Sequence, residues 1–101
     1  MPAPAVLILG GTGEARELAA RLDDAGVATV SSLAGRVRDP ALPTGQVRIG
    51  GFGGPDGLAE YLRAHRIQAV VDATHPFAVG ISASAAAACG RAGVRLLRLA
   101  R

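Results

Sequence analysis

The sequence predicts an α/β fold, a parallel sheet of about five strands flanked by helices. Five short apolar runs, near 5–9, 27–31, 46–49, 68–72 and 94–99, alternate with segments whose apolar residues fall at helical spacing. The first run, Val6 to Leu9, passes directly into a turn holding Gly10, Gly11 and Gly13, and from there into a helix. Strands that alternate with helices pair in parallel through right-handed crossovers. At 101 residues the chain is one domain, or part of one.

Each element has its own signal. In the first helix Ala15, Leu18, Ala19, Leu22 and Ala25 share a face, and Gly26 is a natural C-terminal stop. The stretch 33–45 (LAGRVRDPALPTG) breaks the alternation, because its two prolines and two glycines favour a loop. A loop of that length in a compact domain is often functional. The second helix, about 55–66, opens on Pro55 and Asp56, which suit a first turn, and turns Leu58, Tyr61 and Leu62 inward. The third, about 79–92, is nearly all Ala and Ser and ends at Gly93. The last strand has no closing helix after it, so the chain reads as the front half of something larger.

Composition narrows the class. Half the residues are apolar, but 21 of them are Ala, and there is no Trp. Small side chains allow tight helix-on-sheet packing and contribute little burial each, so the domain is expected to be marginally stable alone. All 11 basic residues are Arg, and the net charge is +3. They are scattered and not interleaved with aromatics, which argues against a nucleic-acid surface. The single Cys89 cannot form an internal disulfide and reads as a small buried residue. No signal peptide precedes Val6, and no apolar run approaches the ~18 residues of a membrane span, so a cytoplasmic protein without a membrane partner is expected. No Cys/His cluster suggests a metal site.

The chemistry is expected at three strand ends. A strand that delivers a glycine turn to a helix N-terminus offers free N–H groups to a pyrophosphate, and glycine lets phosphate approach the backbone. Gly10, Gly11, Thr12 and Gly13 are therefore candidate cofactor-binding residues of a Rossmann-like domain. From Gly11 the pattern reads G-x-G-x-x-R, with Arg16 where the fingerprint has Gly or Ala. A plain structural turn is the alternative, and a P-loop lacks its Gly-Lys-Ser/Thr ending. Arg16 reaches the phosphates or pairs with a neighbouring acid.

After the second strand, Val30-Ser31-Ser32-Leu33-Ala34-Gly35-Arg36 contains no acid to hold a ribose 2′-OH. Hydroxyls followed by Arg suit a 2′-phosphate, which favours NADP over NAD and makes Ser32 and Arg36 candidates. Otherwise Arg36 and Arg38 are solvated loop charges. The cluster Gly50-Gly51-Phe52-Gly53-Gly54 follows the third strand. Either a flat ligand or an adenine lies against Gly51 and Phe52, or the loop is mobile and Phe52 plugs the core. Past the fourth strand, Asp72-Ala73-Thr74-His75-Pro76-Phe77-Ala78 holds His75 extended before Pro76, a candidate for proton transfer or a structural imidazole. His65, at the end of the second helix, reads as surface.

These motifs, LGGTGEAR at 9–16, AGR at 34–36, GGFGG at 50–54 and DATHPFA at 72–78, stand in the order found in the precorrin-6A reductase family, which the chain resembles over essentially its whole length. The resemblance implies an NADPH-dependent reductase of cobalamin biosynthesis, acting on a ring double bond of precorrin-6A or cobalt-precorrin-6A. It implies that Gly11, Thr12 and Gly13 hold the pyrophosphate and that Ser32 and Arg36 hold the 2′-phosphate. Thr74, His75 and Phe77 would line the nicotinamide or substrate side, with Thr74 and His75 the candidate catalytic residues.

Family members are roughly twice this length, so the resemblance implies that 1–101 is a single NADP-binding domain without the family's C-terminal domain. An Asn is expected after DATHPFA, where this chain has Ser82-Ala83-Ser84. A non-catalytic NADP-binding or sensing module is the alternative from another class. The chemistry argues against a sugar-nucleotide epimerase or short-chain dehydrogenase relative: these use Tyr-x-x-x-Lys, whereas Tyr61 is followed by His65 and the chain has no Lys.

Overall fold

The computed structural model describes residues 3–35 and 42–99. Its elements run β1 (Val6–Leu9), α1 (Gly13–Asp24), β2 (Thr29–Leu33), β3 (Gln46–Ile49), α2 (Gly54–Ala64), β4 (Ala69–Asp72), α3 (Val79–Ala92) and β5 (Arg95–Arg98). The five strands form one parallel sheet in the order β3-β2-β1-β4-β5. The chain winds outward from β1 to β3, then restarts on the other side of β1 with β4. This is the Rossmann-like α/β fold the sequence predicts. Its topological switch point lies between the C-terminal ends of β1 and β4, where open parallel sheets bind ligands.

Period-two alternation divides the core between the two faces. Leu7, Leu9, Val30 and Val70 pack against Leu58, Ala59 and Leu62 of α2 and Ala85, Ala88 and Cys89 of α3. Ile8 and Ala73 pack against Ala15 and Ala19 of α1 on the other face. Burial pushes the Cys89 thiol up, as expected of an inert core residue. Asp56 in the first turn of α2 pairs with Arg91 near the end of α3, and Arg63 donates to the Arg91 carbonyl at 3.1 Å, so polar contacts also join these helices. Among the described residues no helix is long and apolar enough to cross a membrane.

Caps fall where local chemistry demands. Thr12 caps α1, Gly26 follows its end with φ +78°, Pro55 lies in the first turn of α2, and Gly93 closes α3 with φ +68°. Two boundaries differ from the sequence expectation. β2 spans 29–33 rather than 27–31, because Ser31 and Ser32 interrupt the apolar run without interrupting the ladder: Leu9 pairs with Ser32, and Leu33 pairs with Ile49. α2 ends at Ala64 rather than near 66, because Arg66 takes φ +53° and leaves the helix. Leu33 thus belongs to β2, not to the 33–45 loop. Arg36 and Arg38 lie outside the described residues.

Candidate functional site

The glycine turn sits at the switch point and is pinned on both sides. Thr12 Oγ1 accepts from Ala15 N at 3.1 Å, capping α1, and donates to the Ala73 carbonyl just past β4 at 2.7 Å. One hydroxyl therefore fixes the start of α1 relative to the neighbouring strand end. Because that hydroxyl is committed to the fold, Thr12 has only its backbone N–H to offer a ligand. Gly11 takes φ +102°, a conformation that a side chain disfavours, and nothing lies within 4 Å of where a Cβ would stand. The turn is thus open at the positive end of the α1 dipole.

A cleft of about 270 Å³ opens beside this turn. Gly10, Ser32, Gly51, Phe52, Thr74 and Ser84 are among its walls, so it joins the ends of β1, β2, β3 and β4. Much of the wall is glycine backbone. The volume is near the low end for small-molecule pockets, about 300–1,000 Å³.

Phe52 lines the cleft and also packs on the core, edge-on to Tyr61 with ring centroids 5.1 Å apart. Arg48, which no motif singles out, lies with its guanidinium carbon 3.8 Å from the Phe52 ring centroid. It donates to Ser32 Oγ and to the carbonyls of Gly50 and Gly51 at 3.0–3.1 Å.

Asp72 organises the far wall. It is 4% exposed, and its Oδ1 accepts from Thr74 N at 3.1 Å and from Thr74 Oγ1 at 2.5 Å. Its Oδ2 accepts from Ser82 Oγ at 2.5 Å, with the Arg98 guanidinium 4.0 Å away. Burial pushes the carboxyl pKa up, but the hydrogen bonds from Ser82 and Thr74, with the Arg98 charge, outweigh it and hold the value below the ordinary one. The sequence assigns Asp72 no role beyond its place at the head of DATHPFA. A carboxylate closing a buried parallel strand was the available signal.

Thr74 lines the cleft, but its hydroxyl donates to Asp72. His75 is exposed on the β4–α3 connection. Its Nδ1 accepts from Phe77 N at 3.3 Å, and its ring stacks on Phe77 with centroids 5.0 Å apart. Phe77 is 83% exposed, an unusual position for a large apolar ring. The geometry thus brings Gly10, Ser32, Gly51, Phe52 and Thr74 to one cleft and leaves His75 outside its lining. His65 is exposed and stacks on Tyr61 at 4.2 Å, as its surface reading expects. Ser31 Oγ is buried without a hydrogen-bond partner among the described residues.

The family model for "Precorrin-6x reductase CbiJ/CobK" matches residues 5–101. The chain belongs to this family. It is 67% identical over 97 residues to the precorrin-6A reductase of Rhodococcus erythropolis, covering 95% of this chain and 39% of that protein. It is 64% identical over 96 residues to the precorrin-6A reductase of Mycobacterium tuberculosis (strain ATCC 25618 / H37Rv), with the same coverage of 95% and 39%. A solved structure titled "CobK precorrin-6A reductase" superposes with a TM-score of 0.91 at 48% identity, covering 97% of this chain and 39% of that one. The chain therefore spans about 39% of the length of these reductases, less than the half that the sequence resemblance implied.

Proposed function

We propose that this chain is the NADPH-binding domain of a reductase acting on the precorrin-6A macrocycle, cobalt-free or cobalt-bearing, in cobalamin biosynthesis. One observation carries the reading: the glycine turn that opens α1 stands at the topological switch point, fixed to the end of β4 through Thr12, beside a cleft walled by glycine backbone. The family membership and the names of its relatives support the reaction class.

The residues present fit the cofactor. Gly10, Gly11, Thr12 and Gly13 would hold the pyrophosphate through backbone N–H groups at the positive end of α1. Ser32 and Arg36 would hold the 2′-phosphate. Gly51 and Phe52 offer a flat, sparsely substituted wall for a ring. When bound, NADPH supplies the hydride for reduction of one ring double bond.

Thr74 and Asp72 fix the backbone of the rim. With Nδ1 accepting from the Phe77 amide, Nε2 is the His75 nitrogen left to donate a hydrogen bond to a ligand. The remainder of the macrocycle cleft would come from the additional length that the relatives possess, in a second domain. Calorimetric titration with NADPH and NADH, in wild type and Arg36→Ala, tests the reading. NADPH binding that exceeds NADH binding and weakens in the variant is expected. Binding of neither nucleotide by a folded sample refutes it.

A further inference from the structure

Arg48 stands behind the cleft wall rather than in it. Its Nη1 donates to Ser32 Oγ at 3.1 Å and to Gly50 O at 3.0 Å, and its Nη2 donates to Gly51 O at 3.1 Å. The Phe52 ring covers one face of the guanidinium, centroid 3.8 Å from the central carbon. Among the described residues no carboxylate pairs with it. Its acceptors there are neutral and do not cancel its charge.

This arrangement sets the polarity of the wall. In a planar trans peptide the N–H points opposite to the C=O. Drawing the Gly50 and Gly51 carbonyls onto one guanidinium therefore turns the N–H groups of Gly51 and Phe52 the other way. Neither has a hydrogen-bond partner among the described residues. Ser32 Oγ accepts from Arg48, which leaves its own O–H to donate. Ser32, Gly51 and Phe52 all line the cleft. The wall at the ends of β2 and β3 thus presents donors, backed by a positive charge, and its carbonyl oxygens are occupied. Such a wall fits an anion and disfavours a bare hydroxyl pair.

We infer that Arg48 is a positioning and specificity-determining residue: through Ser32 and the Gly50–Gly51 carbonyls it shapes a donor surface for the 2′-phosphate of a pyridine nucleotide. The inference rests on the nucleotide-binding reading above and extends it to a residue outside the glycine turn and the 33–45 loop. A purely structural role for Arg48 would weaken every nucleotide alike. A role toward the 2′-phosphate separates phosphorylated from unphosphorylated nucleotides.

The test is titration of the full chain with NADP⁺ and NAD⁺, for wild type, Arg48→Met, Arg48→Lys, Ser32→Ala and the Ser32→Ala/Arg48→Met double variant. Circular dichroism confirms that each is folded. Arg48→Met is expected to lose about tenfold or more in NADP⁺ affinity while NAD⁺ affinity moves by less than about threefold. Arg48→Lys keeps the charge without the planar fork and recovers part of the preference. In the Ser32→Ala background, Arg48→Met costs less selectivity than it does in wild type, because one route of its action is already gone.

Equal losses for both nucleotides, or no change for either, overturn the inference. If Arg48→Met does not fold, Arg48→Lys and Ser32→Ala carry the same comparison. A wild type that binds neither nucleotide brings down the nucleotide reading itself. A wild type that prefers NADP⁺, with a preference that survives both Arg48 substitutions, sinks the positioning role alone.

Discussion

Asp72 joins the rim of the candidate site to the stability of the fold, and replacing it tests that joint directly. The carboxylate receives three hydrogen bonds, two from Thr74 and one from Ser82, while 4% exposed. Hydrogen bonds to a charged group contribute about 1.5–3 kcal/mol each, and the carboxylate's own desolvation offsets several kcal/mol of that sum. Asp72→Ala removes the acceptor and leaves the Thr74 amide without a partner. The Thr74 and Ser82 hydroxyls, 3.5 Å apart, can turn toward each other and recover part of the loss. The net cost expected for Asp72→Ala is about 2–3 kcal/mol. Asp72→Asn keeps one carbonyl oxygen for Thr74 and offers an NH₂ to which Ser82 can turn its lone pair, so about 1 kcal/mol is expected.

Urea denaturation followed by far-UV circular dichroism measures both, since the chain has no Trp to report by fluorescence. The pH dependence separates charge from shape. The folded carboxyl pKa lies below its ordinary value of 3.8, so its contribution is complete above the unfolded value and is lost as pH falls through the folded one. The stability gap between wild type and Asp72→Asn should be level from about pH 8 to 5 and close below about pH 4. An Ala variant within about 0.5 kcal/mol of wild type, or a gap that closes already near pH 6, would refute the assignment of Asp72 as a charged organising centre.

Substitutions at two further positions test the positioning of the glycine-bearing segments by the same denaturation assay. Thr12→Val keeps the side-chain volume and loses both the α1 cap and the bond to the Ala73 carbonyl, for an expected cost of about 2 kcal/mol. Thr12→Ser should stay within about 0.5 kcal/mol of wild type, and a Ser variant costlier than the Val variant would show that the methyl rather than the hydroxyl matters. Gly57→Ala should destabilise by about 1–3 kcal/mol although Ala is the better helix former, because the new Cβ would run into the Phe52 carbonyl at the entrance to α2. A stabilised Gly57→Ala would mean that the GGFGG loop enters α2 by a different path.

The legible parts of this fold are those whose cause is local. Val6–Leu9, the glycine turn and the Ala15/Leu18/Ala19/Leu22 face are read within one stretch of chain, and β1 and α1 fall where they are expected. β2 is displaced in the reading because Ser31 and Ser32 look like the end of a strand. Only the parallel register, with Leu9 opposite Ser32, shows that small hydroxyls continue the ladder.

The candidate site divides in the same way. Its residue types are legible in GGFGG and DATHPFA, whereas the duties of those residues are set by partners on other elements. Thr12 and Thr74 look like ligand groups in the sequence, yet their hydroxyls donate to the Ala73 carbonyl and to Asp72. Arg48 looks like an ordinary strand Arg. Sixteen positions separate it from Ser32, and only the pairing of β2 with β3 brings the two within 3.1 Å. A hydroxyl that already donates to the protein cannot give that proton to a ligand, whereas one that accepts from an Arg still can. The division between scaffold and contact is thus made by the direction of each hydrogen bond. On that criterion the Thr74 hydroxyl is spent on the scaffold, whereas the Ser32 hydroxyl keeps a proton to donate.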